Sequence, residues 1–146
     1  MPSLPKSIGP DETKVLIVDD SKEYAQVLKR ILGGVFGYGD VTYVETTEEA
    51  YRMIAKEPER FQLVFVDYNF PGSETGGDLL KRLKDSSLME QKVAFMITSE
   101  PTVDNMKLAT ASGALGVVAK PFDREQLRSQ LSKAALSIKT DQGESF

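Results

Sequence analysis

The sequence predicts an α/β fold with a five-stranded parallel sheet and helices on both faces, and three observations carry that prediction. Four short apolar runs are spaced along the chain, VLIV from Val15, LVFV from Leu63, VAFMI from Val93 and ALGVVA from Ala114. Segments of helical periodicity separate them, and nearly every run ends in a polar residue. Runs this short, rich in β-branched and aromatic residues, suit strands buried on both faces. Strands that alternate with helices are joined by right-handed crossovers, which place helices above and below one sheet.

The elements follow in chain order. Residues 1–13, rich in Pro, Ser and Gly, read as a flexible lead. After the VLIV strand, Tyr24, Val27, Leu28, Ile31 and Leu32 fall on one helical face, with Gly33-Gly34 as the stop. Val41-Thr42-Tyr43-Val44-Glu45 alternates and suits a half-buried edge strand. Thr46 and Glu49 have capping-box spacing and open a second helix that ends before Pro58.

Beyond LVFV, Leu79, Leu80 and Leu83 mark a third helix. Val103, Met106 and Thr110 mark the inner side of a fourth, stopped at Gly113, with Leu108 off that stripe. Asp123 is an N-cap for the fifth, Phe122 and Leu127 have hydrophobic-staple spacing, and Leu127, Leu131, Ala134 and Ile138 form the inner stripe. This gives one domain over residues 14–138, followed by a flexible tail over 139–146. The glycine-rich GGVFGYG from Gly33 is not a phosphate loop, which leaves a strand and enters a helix. This segment leaves a helix and enters a strand, so it is a helix stop and a turn.

Composition narrows the chemistry. With 22 acidic and 18 basic residues the net charge of the 146-residue chain is -4, which argues against general nucleic-acid binding. No apolar run approaches the ~20 residues of a membrane helix. The opening residues lack the apolar centre of a secretory signal, so a cytoplasmic location is expected. Cysteine and histidine are both absent. That excludes disulfides, thiol nucleophiles, serine–histidine catalysis and imidazole or thiolate metal sites. What remains is carboxylates, lysine, hydroxyls and a hard metal.

Those groups stand at the strand ends. The first strand ends in Asp19-Asp20, LVFV in Asp67, VAFMI in Thr98-Ser99 and ALGVVA in Lys120-Pro121. Taken singly, each has an ordinary structural role: Asp20 as a helix cap with Glu23, Asp19 as a solvated loop residue, Thr98 as a turn residue, Lys120 as a surface charge. Together they gather at the carboxyl edge of the sheet, where open α/β sheets bind ligands. Three carboxylates in close proximity repel one another and call for a cation. Oxygen donors without His or Cys suit magnesium, and Lys120 supplies a point charge fit for a phosphoryl oxygen.

With VLIVDDS, FVDYNFPG, FMITSE and GVVAKPF in this order, the chain from about Lys14 to Ile138 resembles the response regulator receiver family of two-component signalling. The resemblance implies a flavodoxin-like (βα)5 fold with strand order 2-1-3-4-5. It implies that Asp67 takes a phosphoryl group from a histidine kinase or phosphotransfer protein in a magnesium-dependent reaction. Asp20 and Asp67 would hold the ion with the backbone carbonyl of Asn69, and Asp19 would assist through water. Thr98 would bond the phosphoryl group and Lys120 would pair with Asp67. The Lys120–Pro121 bond would be cis, output would pass to a downstream protein partner, and the domain would be a monomer or weak dimer.

Two features depart from the family pattern. Val117 stands where the family carries an aromatic, and the loop PGSETGG is about one residue longer. Two other readings are open to the same residues. An aspartate-nucleophile phosphatase of the haloacid-dehalogenase type needs a second aspartate two positions after the nucleophile, but Asn69 follows Asp67 at that offset and Ser21 follows Asp19. A non-signalling interaction domain would leave the acidic pocket inert.

Overall fold

The computed structural model describes residues 3–72 and 74–141. Five strands, β1 (Lys14–Val18), β2 (Asp40–Val44), β3 (Leu63–Asp67), β4 (Val93–Thr98) and β5 (Gly116–Ala119), form one parallel sheet in the order β2-β1-β3-β4-β5. They alternate with α1 (Lys22–Gly34), α2 (Thr47–Lys56), α3 (Gly76–Asp85), α4 (Val103–Ala111) and α5 (Arg124–Asp141). The class, strand order and two-sided helix layers are those expected.

Side chains alternate along each strand, so each face of the sheet has its own core. Val15, Ile17, Phe65, Phe95, Ile97 and Val118 face α1 and α5, with the Phe65 and Phe95 rings stacked at 5.5 Å. Leu16, Val18, Val64, Val66 and Met96 face α2, α3 and α4, whose contributions include Ile54, Leu79, Leu80, Leu83 and Ala109. β3 and β4 are buried at every position, which is why their sequences read as unbroken apolar runs. β2 is an edge strand and is only half buried.

Local signals hold well at most helix ends. Thr46 caps α2 by accepting from the Glu49 N–H at 3.1 Å, and the helix stops at Lys56 before Pro58. Asp123 Oδ1 accepts from the Glu125 N–H at 3.1 Å at the head of α5, whose four inner residues are all buried as expected. α1 runs through Gly33 and Gly34 before stopping, and Gly37 takes the left-handed turn at φ +84°. The Lys120–Pro121 bond is cis.

Three expectations are corrected. On α1 the buried residues are Ala25, Leu28 and Leu32, while Tyr24 and Val27 are exposed. Small Ala25 lets the helix sit close to the sheet, and that turns the larger flank outward. On α4 the expected inner stripe faces solvent: Val103, Met106 and Thr110 are exposed, and Ala109 alone is buried. Again the small residue makes the contact.

The third concerns the expected flexible lead. Its residues 1–2 lie outside the described residues, but 3–13 pack against the domain. Ser3 donates twice to the Glu90 carboxylate, at 2.9 and 2.5 Å, and its carbonyl accepts from the Gln91 N–H at 2.9 Å. Ile8 is buried, and the Tyr38 hydroxyl donates to its carbonyl at 2.6 Å. Leu4, Pro5 and Ile8 supply apolar surface that the Pro/Ser/Gly composition masks. At the other end α5 includes residues 139–141, and the rest of the expected tail, 142–146, lies outside the described residues. Residue 73 of the PGSETGG loop is also outside them. Among the described residues, no helix is long and apolar enough to cross a membrane.

Candidate functional site

The carboxyl ends of β1, β3 and β5 bring Asp19, Asp20, Asp67 and Lys120 together. Ser21 caps α1, its hydroxyl accepting from the Tyr24 N–H at 3.4 Å. The Asp20 side chain is therefore not used as a cap and stays exposed at the pocket. Asp19 is fully buried, with Oδ1 accepting from the Ser21 N–H at 2.8 Å. Asp67 ends β3, buried, with Oδ1 accepting from the Asn69 N–H at 3.4 Å.

Lys120 reaches this cluster from the end of β5, its side chain 8% exposed. Its Nζ lies 3.1 Å from Asp67 Oδ2, to which it donates, and 3.0 Å from Asp19 Oδ2. The Asp19 contact is a close ion pair without hydrogen-bond alignment, which leaves Oδ2 a buried oxygen with no hydrogen bond. The two carboxylates outweigh burial and hold the Lys120 ammonium above the ordinary lysine range; burial alone would lower it.

The Asp67 carboxyl moves the other way. Burial first, and the neighbouring Asp19 charge second, push it up from 3.8 to about 6, against the opposing pull of Lys120. Among the described residues, Asp19, Asp20 and Asp67 each offer an oxygen, all within 4.8 Å of one another. One lysine against three carboxylates leaves a negative excess. The donor set is all oxygen, and one buried oxygen lacks a hydrogen bond. These residues fit a hard divalent cation such as magnesium.

A cleft of about 430 Å³ opens over the cluster, lined in part by Asp20, Tyr24, Asn69, Phe70, Pro71 and Ser99. Thr98 closes β4 beside the cluster and is buried, but its hydroxyl accepts from the Glu100 N–H at 3.0 Å and makes no bond to Asp67. Of the six residues named from sequence, Asp19, Asp20, Asp67 and Lys120 meet directly; Asn69 meets Asp67 through its N–H, a different group from the carbonyl expected as a ligand, and Thr98 ends the neighbouring strand. Sequence reasoning missed Tyr24, which it assigned to the inner stripe of α1. The Tyr24 ring lies 4.4 Å from Lys120 Nζ.

Over most of its length the chain is similar to known proteins. The family model described as the response regulator receiver domain matches residues 15–132. Chemotaxis protein CheY-3 of Vibrio cholerae is 30% identical over 82% of this chain and 89% of that protein. Chemotaxis protein CheY of Pseudomonas aeruginosa is 28% identical over 82% and 94%. The solved structure of Vibrio cholerae CheY4 superposes with a TM-score of 0.72 at 30% identity, covering 84% of this chain and 98% of that one.

Proposed function

Since the chain belongs to the response regulator receiver domain family, we propose that Asp67 is its phosphoacceptor and that the chain signals through a protein partner. The observation that carries this reading is the buried Asp67 carboxylate, held by Lys120 at 3.1 Å at the floor of an open, all-oxygen acidic cleft. The donor is a phosphohistidine on a kinase or phosphotransfer protein. An Asp67 oxygen attacks phosphorus, the phosphorus–nitrogen bond breaks, and its electron pair leaves with the imidazole.

Positioning and charge compensation carry such a step. Asp20 and Asp67 would hold magnesium with the Asn69 carbonyl, Asp19 assisting through water. When bound, the ion supplies positive charge that offsets the meeting of carboxylate and phosphate. Lys120 exchanges its Asp67 contact for a phosphoryl oxygen while its ion pair with Asp19 keeps it in place. The Thr98 hydroxyl offers its proton to another phosphoryl oxygen. The chain assists its own modification and has no separate substrate to turn over, and a cytoplasmic setting fits this role.

Treatment with acetyl phosphate and magnesium should add one phosphoryl group by intact-mass spectrometry. Asp67→Asn and omission of magnesium should each abolish the adduct. An unchanged adduct in Asp67→Asn would assign the modification elsewhere.

Switching should run through Thr98. Val117 is buried on the α2–α4 side of the sheet and, being β-branched with one dominant rotamer, offers no swing between two positions. Thr98 instead gains a contact that the free aspartate cannot give, and its present tie to the Glu100 N–H connects it to the chain entering α4. With beryllofluoride, amide-shift changes over residues 99–118 should persist in Val117→Ala and largely vanish in Thr98→Ala. The reverse pattern would refute this route.

A further inference from the structure

The ammonium of Lys120 has three N–H groups and two carboxylate neighbours. It also lies over the Tyr24 ring, 4.4 Å from Nζ to the ring centroid. Phe122 in turn meets Tyr24 edge-on, with centroids 6.1 Å apart and planes at 84°. Lys120 and Phe122 are two residues apart on the segment between β5 and α5, so the segment that carries the lysine also braces the ring that covers it. Tyr24 is fixed from its own side too, since its N–H is held by the α1 cap Ser21.

We infer that Tyr24 is a positioning residue for phosphoryl transfer: its ring holds the Lys120 ammonium in place beside Asp19 and Asp67. A lysine side chain has four rotatable carbons and is strongly hydrated, so it leaves a shallow site readily. The ring face attracts the cation and takes up surface that water would otherwise cover. This also accounts for the placement of Tyr24. It lies on the exposed flank of α1, 39% accessible, and lines the cleft with Asp67 and Lys120 instead of joining the core stripe. The inference rests on the proposed role of Asp67, because a clamp on Lys120 matters to transfer only if that residue is the acceptor.

The test compares wild type, Tyr24→Phe and Tyr24→Leu. Phenylalanine keeps the π face; leucine keeps apolar bulk without it. In metal-free protein with 13C-labelled lysine, the ε-methylene protons of Lys120 should show a ring-current shift in wild type and Tyr24→Phe, lost in Tyr24→Leu. With magnesium and acetyl phosphate at saturation, the phosphorylation rate of Tyr24→Leu should fall about three- to tenfold, the range a partly desolvated cation–π contact spans, and Tyr24→Phe should restore it.

Unchanged Lys120 resonances in Tyr24→Leu overturn the clamp. Equal rates in wild type and Tyr24→Leu overturn its role in transfer, whatever the resonances show. If wild type takes up no phosphate, the Asp67 reading fails instead, and the resonances still decide whether the ring holds the lysine.

Discussion

Gly76→Ala is expected to destabilise the protein by about 3 kcal/mol, the upper part of the range for forcing an added methyl into a packed site. Gly76 is the first residue of α3, directly after the cap Thr75, whose hydroxyl and the Asp78 carboxylate form a complete capping box. Its N–H donates to the Tyr68 carbonyl at 2.9 Å, which draws the helix start onto the end of β3. A Cβ there would overlap the carbonyl oxygen of Asp67 and come within 2.9 Å of that carbonyl carbon and of Val66 Cγ1. The obstacles are mostly backbone, so a rotamer change cannot relieve them.

Alanine's helix preference recovers at most about 1 kcal/mol of this. Gly34→Ala is the matched control: a Cβ at that helical glycine would meet nothing within 4 Å, so its stability should stay equal or rise slightly. Urea unfolding of the two variants measures both. A Gly76→Ala midpoint indistinguishable from wild type would mean that α3 does not sit where this contact places it. The same substitution should slow acetyl-phosphate labelling, because any shift of the Asp67 carbonyl moves its side chain.

Much of this was legible in the sequence, and for physical reasons. A strand buried on both faces must be apolar throughout, so β1, β3 and β4 announced themselves, and edge strand β2 betrayed itself by alternation. The site residues were legible because strand ends in a parallel sheet converge, whatever their separation in sequence. The sequence misleads at α1 and α4 because several large apolar residues there face outward. The close contacts fall to Ala25 and Ala109, and a small side chain gives little signal.

Neither Tyr24 over Lys120 nor Ser3 on Glu90 could be read in advance. Each joins residues remote in sequence, and neither follows from a period or a cap. The choice of Ser21 over Asp20 as the α1 cap is a subtler case. Both residue types cap well. The burial of Asp19, whose Oδ1 takes the Ser21 N–H, fixes the turn and leaves Asp20 to the cleft.

Through Asp67, that charge arrangement lowers the stability of the metal-free protein as pH rises from about 4 to 6, a contribution opposite in sign to that of ordinary paired carboxylates. Folding lifts the Asp67 carboxyl from 3.8 to about 6, through burial and the charge of Asp19. Below pH 4 the group is protonated in both folded and unfolded chains and contributes nothing. Between 4 and 6 the unfolded chain has lost the proton while the folded one keeps it, so unfolding releases a proton and stability falls. Above 6 the folded group is ionised as well and the full penalty stands. The shift corresponds to at most about 3 kcal/mol, and water reaching through the cleft screens part of it, so about 1–2 kcal/mol is expected.

Asp67→Asn keeps the shape, removes the charge, and leaves Lys120 its ion pair with Asp19. In metal-free buffer at pH 8 it should therefore be more stable than wild type by that amount, and the difference should close near pH 4. Magnesium should reverse the order: at 100 times its dissociation constant it stabilises a folded state by about 2.7 kcal/mol, a gain that wild type should show and that Asp67→Asn and Asp20→Ala should largely lose. Chemical denaturation from pH 4 to 8, with and without magnesium, reads all of these differences. Parallel profiles for wild type and Asp67→Asn would mean that Asp67 is not strained by its surroundings, and that the acidic cluster has no cost for a cation to relieve.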